Sequence, residues 1–274
     1  MRDENIAFIG GGNMARSLIG GLIAKGRAAS SIHVAEPVAA LREALGDEFG
    51  VSVFDTGAAA VDGASTWVFA VKPQVMRTVC ASLATQAQAV RPLVISIAAG
   101  ITGSQLERWL GGSIAVVRTM PNTPALLGAG ITGLHASALV DAAGRTFSET
   151  LLAAAGKTVW IEEEELMDAV TAVSGSGPAY VFLLAEAMID AGVAEGLPAD
   201  AARRLALQTI LGAARMLTEE DAPDAVELRQ RVTSPNGTTQ AAIEAFEAGG
   251  LRALVSKAVH AARIRGRELS AANE

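Results

Sequence analysis

Two short clusters of glycine and hydroxyl residues have the composition of anion-binding sites. The first, IAFIGGGNMARSLIGGL at 6–22, places Gly10, Gly12 and Ala15 in G-x-G-x-x-A spacing between a strand-like run and a helical run. The first glycine permits a tight turn, the second lets the backbone approach a pyrophosphate, and the small Ala15 allows close helix–strand packing. Exposed amides at the helix start then bind phosphate. The spacing predicts a dinucleotide site, and a glycine-rich turn without a ligand is the alternative.

The second cluster, VTSPNGTTQAA at 232–242, precedes another helical run. Asn-Gly favours a turn, and Thr238 or Thr239 begins the helix. Free amides at such a start suit a carboxylate, and a threonine hydroxyl beside them can hydrogen-bond a substrate nitrogen or oxygen. A related segment, VSGSGPAY at 173–180, offers Ser174 or Ser176 as a helix cap before Pro178. Capping alone is an equally good interpretation of that segment.

Two charged residues bear on the choice of dinucleotide. Glu36 ends the second predicted strand, where a carboxylate would bind the ribose 2′-hydroxyl and repel a 2′-phosphate, which favours NAD. The alternative is that Glu36 only faces solvent, and Arg42 could partly offset its charge.

Lys72, in AVKPQ at 70–74, follows the third predicted strand. It could meet cofactor hydroxyls or phosphate, or be an ordinary solvated lysine.

The three histidines, His33, His135 and His260, lie outside the polar glycine-rich clusters. We therefore interpret each as structural. Reduction of a carbonyl usually requires a strong general acid such as His or Lys. A protonated imine requires less, because its nitrogen already carries the proton. A carboxylate site, one hydroxyl and an aligned hydride donor could suffice.

The elements that must position these clusters change character near residue 161. Short apolar runs at 5–10, 31–37, 65–73, 93–100, 114–121, 130–136 and 158–161 alternate with helical runs at 14–26, 38–50, 74–87 and 103–111. This alternation predicts a doubly wound, mostly parallel α/β sheet covered on both faces. After 162–165 only helices are predicted, at 177–196, 197–217, 237–250 and 251–269. We predict a Rossmann dinucleotide-binding domain at 1–161 and an all-α domain at 162–274. The helix at 177–196 is apolar on nearly all sides, so a dimer partner is expected to bury it.

Composition disfavours several classes of function. Half of the 274 residues are hydrophobic and the formal net charge is −7, which argues against a duplex nucleic-acid binder. Cys80 is the only cysteine, so neither an intramolecular disulfide nor a cysteine-based metal site is expected. The start of the chain lacks the pattern of a signal peptide, and the longest charge-free stretch contains Pro and Gly. We expect a cytoplasmic protein with no metal, no nucleic-acid partner and no membrane segment.

Seven motifs, in order over essentially the whole chain, together resemble the pyrroline-5-carboxylate reductase family. They are FIGGGNMA, AVKPQ, SIAAGI (96–101), RTMPNTPA (118–125), SGSGPAYVF (174–182), GLPADAARRLALQT (196–209) and VTSPNGTTQAAI (232–243). The resemblance implies NAD(P)H-dependent reduction of the cyclic imine 1-pyrroline-5-carboxylate to L-proline, the final step of proline biosynthesis. It also implies a Rossmann domain followed by a helical domain that interlocks into a homodimer, with a decamer of five dimers as a larger assembly.

The resemblance further implies roles for individual residues. Backbone amides of the SPNGTT loop bind the substrate carboxylate, and the Thr239 hydroxyl lies near the imine nitrogen as a proton donor. The implied substrate-binding set is Ser174, Ser176, Ser234, Gly237, Thr238 and Thr239. The implied cofactor-binding set is Gly10, Gly12, Asn13, Met14, Ala15, Glu36, Ala70, Lys72, Pro73, Asn122 and Pro124. NADPH is expected ahead of NADH, because an exposed Glu36 can turn away while Arg42 approaches the cofactor.

Two other functions compete with this interpretation. A β-hydroxyacid dehydrogenase shares an NMA-type opening and a helical second domain, but it requires a catalytic lysine early in the helical half. Lys157 precedes a predicted strand and Lys257 lies in the last predicted helix, so both are poor candidates. A nonenzymatic NADP-sensing protein would retain the first glycine-rich loop. It would need no polar pocket among the helices, and the second Ser/Thr-Gly cluster argues against it.

Overall fold

An eight-stranded sheet forms the first part of the chain, with strand order β3-β2-β1-β4-β5-β6-β7-β8. The computed structural model describes residues 5–272. The strands are β1 Asn5–Ile9, β2 Ile32–Ala35, β3 Ser52–Phe54, β4 Ala64–Phe69, β5 Leu93–Ser96, β6 Val116–Met120, β7 Gly130–Ala136 and β8 Gly156–Trp160. Neighbouring strands are parallel except β6 and β7. The prediction of a mostly parallel α/β sheet is confirmed, but the sequence pattern missed β3. Its three residues are only partly buried, so they do not form an apolar run.

Helices cover both faces of this sheet because its strands are apolar on both faces. Ile6 and Phe8 of β1 point into one core, and Ala7 and Ile9 point into the other. The α-helices are α1 Asn13–Ala24, α2 Ala39–Phe49, α3 Gly57–Ala60, α4 Pro73–Val90, α5 Gly103–Trp109, α6 Ala142–Leu152, α7 Met167–Val170, α8 Gly177–Ala194, α9 Ala199–Thr218, α10 Ala225–Arg231, α11 Thr238–Ala248 and α12 Leu251–Ala272. Helix α1 packs into the first core and α4 into the second. The sheet is therefore doubly wound.

The chain divides into two compact units, which we call the sheet unit and the helical unit. The sheet unit comprises Met1–Ser176 and Ala261–Glu274, and the helical unit comprises Gly177–His260. The end of α12 is held in the sheet unit, where the side chain of Gln105 donates to the carbonyl of Ser270 at 3.1 Å. This division falls later than residue 161, where the alternating pattern ends. The domain boundary at 161 stays a prediction.

The helical unit leaves much apolar surface uncovered. In α8 only Ala185 is buried, whereas Phe182 and Leu183 are 62% and 66% exposed. This agrees with the expectation that a helix apolar on all sides needs a partner. The sequence pattern missed α10, which is only seven residues long.

A continuous helical run, Glu164–Ala194, is long and apolar enough to cross a membrane, by length and composition alone. One such helix is weak support for a membrane segment, because the core helix of a soluble protein passes the same test. The absence of a membrane segment stays a prediction.

Candidate functional site

The carboxyl ends of β1 and β4 meet at the point where the strand order reverses. The chain leaves β1 toward α1 on one face and leaves β4 toward α4 on the other, which opens the crevice where doubly wound sheets bind ligands. Gly10 follows β1 with a φ of +105°, and a Cβ built there would lie 2.7 Å from the carbonyl oxygen of Ala70. The amide of Ala70 donates to the carbonyl of Ile9 at 2.8 Å. Glycine is therefore required at position 10 for the two loops to approach.

Gly12 is the N-cap of α1 and faces open space. A Cβ built on Gly12 would meet nothing within 4 Å, and no side chain caps the helix. The amides of Asn13, Met14 and Ala15 have no acceptor within the helix, because the first turn of a helix leaves its N–H groups free. Ala15 is buried in the core, as its small size predicts. This exposed row of donors fits a dinucleotide pyrophosphate.

Glu36 points into the protein rather than toward solvent. The residue is 8% exposed. Its Oε2 accepts the amide of Gly11 at 3.2 Å, and its Oε1 accepts the amide of Val38 at 3.0 Å. The expectation of an exposed Glu36 is therefore wrong, because two loop amides compete successfully with water for the carboxylate. The Nη1 of Arg42 donates to the carbonyls of Glu36 and Pro37 at 2.8 and 3.3 Å, and its approach to a cofactor stays a prediction.

Lys72 and Pro73 form the start of α4, beside the crevice. Lys72 is the N-cap residue and its side chain is exposed, while Pro73 occupies the first turn. These residues follow β4, which is the third strand predicted from the sequence, because the prediction missed β3. The ammonium group of Lys72 is thus free to reach a bound anion.

The loop that follows β6 is fixed from three directions. The side-chain Nδ2 of Asn122 donates to the carbonyl of Ser174 at 3.1 Å, and its Oδ1 accepts the amide of Ile131 at 3.0 Å. The hydroxyl of Ser17 on α1 donates to the carbonyl of Ala125 at 2.5 Å. Pro124 is half-buried in the short 3₁₀ helix that contains Ala125. The loop is therefore rigid at the carboxyl edge of the sheet.

Neither Ser174 nor Ser176 caps a helix, so that interpretation is wrong. The helical run begins at Glu164, and Thr171–Gly175 forms a π-helical segment within it. The hydroxyl of Ser174 donates to the carbonyl of Val170 at 2.9 Å, and the amide of Ser176 donates to the carbonyl of Thr171 at 2.8 Å. With no helix start at this point, there are no free first-turn amides to cap. Short π segments are frequent at functional sites.

A buried ion cluster beside this segment was missed by the sequence analysis. Arg118 on β6 pairs with Glu164 and Asp168, each at 3.3 Å, and its side chain is 5% exposed. The Oε1 of Glu164 also accepts the amide of Gly103 at 2.7 Å. The cluster ties β6 to the start of the helical run. The available signal was an arginine inside an otherwise apolar strand.

In the helical unit, the SPNGTT turn leads into α11 as predicted. Asn236, with a φ of +60°, supplies the left-handed residue of the turn. Gly237 is needed for close approach instead, since a Cβ there would lie 3.1 Å from the carbonyl oxygen of Ser234. The amide of Gly237 donates to that same oxygen at 3.0 Å. The Gly237 amide, which was expected to bind the substrate carboxylate, therefore closes the turn instead.

The start of α11 leaves other donors free. Gly237 is its N-cap and no side chain caps it, so the amides of Thr238 and Thr239 have no acceptor within the helix. Thr239 is half-buried, whereas Thr238 and Ser234 are exposed. Within residues 5–272 no protein group hydrogen-bonds the Thr239 hydroxyl. The helix start thus combines an anion site with the available, half-buried hydroxyl of Thr239.

The histidines lie away from both helix starts in sequence. The Nδ1 of His33 bonds the carbonyl of Ala60 at 2.8 Å, and that of His135 bonds the carbonyl of Ile161 at 2.9 Å. His260 is exposed on α12. In the described part of the chain, no three His, Cys, Asp or Glu side chains are grouped to hold a metal.

Comparison with known proteins gives two family matches. Residues 164–269 match pyrroline-5-carboxylate reductase dimerisation, and residues 5–100 match NADP oxidoreductase coenzyme F420-dependent. The chain is 52% identical to the pyrroline-5-carboxylate reductase of Pseudomonas aeruginosa over 98% of each protein.

Solved structures agree with these matches. The pyrroline-5-carboxylate reductase of Coxiella burnetii is 42% identical with a TM-score of 0.94, covering 98% of this chain and 99% of that one. The pyrroline carboxylate reductase of Plasmodium falciparum, with NADP bound, is 27% identical with a TM-score of 0.84 and the same coverage.

Proposed function

The chain belongs to the pyrroline-5-carboxylate reductase family, and on that premise we propose which of its residues bind the imine and the reduced dinucleotide. The protein is an NAD(P)H-dependent oxidoreductase that reduces 1-pyrroline-5-carboxylate to L-proline, the final step of proline biosynthesis. The reaction adds a hydride to the imine carbon and leaves one proton on the nitrogen. Bound NAD(P)H supplies the hydride.

The start of α11 binds the substrate in this proposal. Its main support is the combination of free Thr238 and Thr239 amides with the half-buried Thr239 hydroxyl. The amides donate hydrogen bonds to the carboxylate, which the positive end of the helix dipole also attracts. The Thr239 hydroxyl then hydrogen-bonds the imine nitrogen and orients the ring. Because the protonated imine already carries its proton, the hydroxyl needs no unusual acidity. Ser174, Ser176 and Ser234 remain proposed substrate-binding residues.

Thr239→Val tests this assignment, because valine keeps the shape of threonine and removes the hydroxyl. A hydrogen bond to a charged group contributes roughly 1.5–3 kcal/mol, so kcat/KM for the imine should fall about 10- to 100-fold. The dissociation constant of NADPH should stay unchanged. Thr238→Val is the matched control, since it removes a neighbouring exposed hydroxyl and keeps both amides. Equal losses in the two variants would contradict the role of Thr239.

The start of α1 binds the dinucleotide, with Gly10, Gly12, Asn13, Met14 and Ala15 at the pyrophosphate. Ala70, Lys72 and Pro73 border the nicotinamide ribose, and Pro124 lies at the nicotinamide end. Asn122 borders that end too, but its side-chain amide bonds Ser174 and Ile131 of the protein rather than the cofactor. Support comes from the open space at Gly12 and the free amides that follow it. Separate alanine substitutions at Gly10 and Gly12 test this assignment.

We propose that NADPH is preferred over NADH. The Glu36 carboxylate is turned toward the amides of Gly11 and Val38, so its repulsion of a 2′-phosphate is reduced. Arg42 uses only Nη1 for backbone carbonyls, which leaves Nη2 to meet a phosphate. Steady-state kinetics of Arg42→Met should show a larger loss of kcat/KM with NADPH than with NADH. An equal loss with both cofactors would contradict the proposal.

The chain assembles as a homo-oligomer through its dimerisation segment. We propose a dimer as the basic unit, with five dimers forming a decamer, and analytical ultracentrifugation distinguishes the two sizes. We also retain a dinucleotide-binding domain at 1–161 and a dimerisation and substrate domain at 162–274. The start of the dimerisation match at residue 164 supports that boundary. A cytoplasmic location without a membrane or nucleic-acid partner completes the proposal.

A further inference from the structure

The carbonyl of Ser174 lies where the helical run cannot supply its usual donor. In an α-helix this oxygen would accept the N–H of the residue four positions later. That residue is Pro178, which has no N–H. Ser174 itself lies in the π segment, Thr171–Gly175, which departs from regular α-helical bonding. Ser174 is half-buried, and a donor from elsewhere in the protein can replace the missing one four residues later.

Asn122 provides that donor from a distant part of the sequence. Its Nδ2 lies 3.1 Å from the Ser174 oxygen, across 52 residues of sequence. Its Oδ1 accepts the amide of Ile131, beside the start of β7, at 3.0 Å. The orientation of the side-chain amide is thus fixed by two protein partners. One residue joins the loop after β6 to the π segment.

Gly175 brings the same two segments together by shape. A Cβ built on Gly175 would lie 2.5 Å from the Cε of Met120, the last residue of β6. The flexible end of the Met120 side chain therefore packs directly against the π segment at Gly175. Hydrogen bonding by Asn122 and close packing at Gly175 act on the same junction.

We propose that Asn122 is a positioning residue, which holds the Ser174–Ser176 segment against the carboxyl edge of the sheet. The inference rests on the proposed function, in which Ser174 and Ser176 bind substrate. It differs from a direct cofactor contact, because the bonds seen at Asn122 are to the protein itself. A displacement of about 1 Å in a positioned substrate costs on the order of 100-fold in rate. A loosened junction would therefore reduce turnover more than cofactor binding.

Asn122→Asp isolates the donor, because aspartate keeps an acceptor for the Ile131 amide and places an oxygen against the Ser174 carbonyl. We expect kcat to fall about tenfold, equivalent to about 1.4 kcal/mol. The dissociation constant of NADPH, measured by fluorescence titration without substrate, should stay within about twofold of the original value. Asn122→Ala removes both bonds and should lower kcat at least as much. A large rise in the NADPH dissociation constant with kcat unchanged would overturn the proposal in favour of a cofactor ligand.

Pro178→Ala supplies the rescue, because alanine restores an N–H four residues after Ser174. In a double-mutant cycle, the loss caused by Asn122→Ala should be at least threefold smaller in the Pro178→Ala background. The thermal unfolding midpoints of the original protein, the two single variants and the double variant should likewise show a smaller loss from Asn122→Ala in the Pro178→Ala background. This measurement also applies where the activity of a variant is too low to measure. Additive losses in both measurements would overturn the proposal.

The outcome is separable from a failure of the substrate assignment. If Thr239→Val and Thr238→Val behave alike, the proposed substrate site fails. The coupling between positions 122 and 178 can still be read from unfolding and NADPH binding. Coupling in stability with no change in kcat would reduce Asn122 to a purely structural residue and overturn its positioning role.

Discussion

Adding one methyl group at Gly10 should destabilise the folded protein, whereas adding one at Gly12 should weaken dinucleotide binding. Gly10 has a φ of +105°, and its added Cβ would lie 2.7 and 2.9 Å from the carbonyl oxygen and carbon of Ala70. Strain from such a φ costs about 1–3 kcal/mol, and forcing a methyl into packed backbone costs about 1–3 kcal/mol more. Gly10→Ala should therefore lose roughly 2–6 kcal/mol of unfolding free energy. Total stabilities are about 5–15 kcal/mol, so this loss is severe.

Gly12→Ala should leave the ligand-free protein almost unchanged. Gly12 is extended, with φ −69° and ψ 179°, which alanine adopts readily, and nothing lies within 4 Å of its new Cβ. Alanine is a poorer N-cap than glycine, which destabilises the helix, but it also restricts the unfolded chain, which favours the folded state. Each effect is below about 1 kcal/mol, and the two oppose each other. The methyl instead occupies the space that a pyrophosphate approaches. We expect the NADPH dissociation constant to rise at least about tenfold, or about 1.4 kcal/mol.

Thermal unfolding with and without NADPH measures both effects in one assay. A ligand at about 100 times its dissociation constant stabilises a protein by about 2.7 kcal/mol. The original protein should gain this amount, and Gly12→Ala should gain about 1.4 kcal/mol or less at the same concentration. Gly10→Ala should unfold at a lower temperature even without NADPH. Normal NADPH binding by Gly12→Ala would refute a pyrophosphate site at this helix start. A Gly10→Ala protein as stable as the original chain would refute the close approach of the two loops.

Three further outcomes are expected. Arg118→Met leaves the carboxylates of Glu164 and Asp168 without their buried partner. Chemical denaturation should show an unfolding free energy lower by about 3 kcal/mol. A loss below about 1 kcal/mol would contradict the ion cluster. Glu36→Gln replaces one oxygen that accepts a loop amide by an NH2 group that cannot accept it. We therefore expect kcat/KM to fall several-fold with NADPH and NADH alike. A change with only one cofactor would mean that the carboxylate contacts the adenosine ribose. Burial raises the pKa of the Cys80 thiol to about 12, so it should not react with a thiol reagent at neutral pH until the protein unfolds; rapid reaction of the folded protein would contradict its burial.

The two helix starts were predictable because short-range rules determine them. G-x-G-x-x-A spacing at Gly10 and the Asn-Gly pair before α11 each specify a turn within a few residues. The strand at 52–54 and the π segment were not predictable in this way. The strand is short and only partly buried. The π segment lies inside a longer helical run and contacts the distant Met120 at Gly175, so no short-range signal marks it.

The direction of a polar side chain depends on partners far away in sequence, and this limits what the sequence can specify about the site. Glu36 could face a ribose or a backbone amide at the same strand end, and the partner that decides, Gly11, lies 25 residues earlier. Asn122 could likewise face a cofactor, yet its amide bonds a carbonyl 52 residues later. In the second case the sequence does carry half of the signal. A proline at 178 inside a helical run removes the N–H four residues after Ser174, so the carbonyl of Ser174 can accept a donor from outside the helix. Only the fold identifies that donor as Asn122.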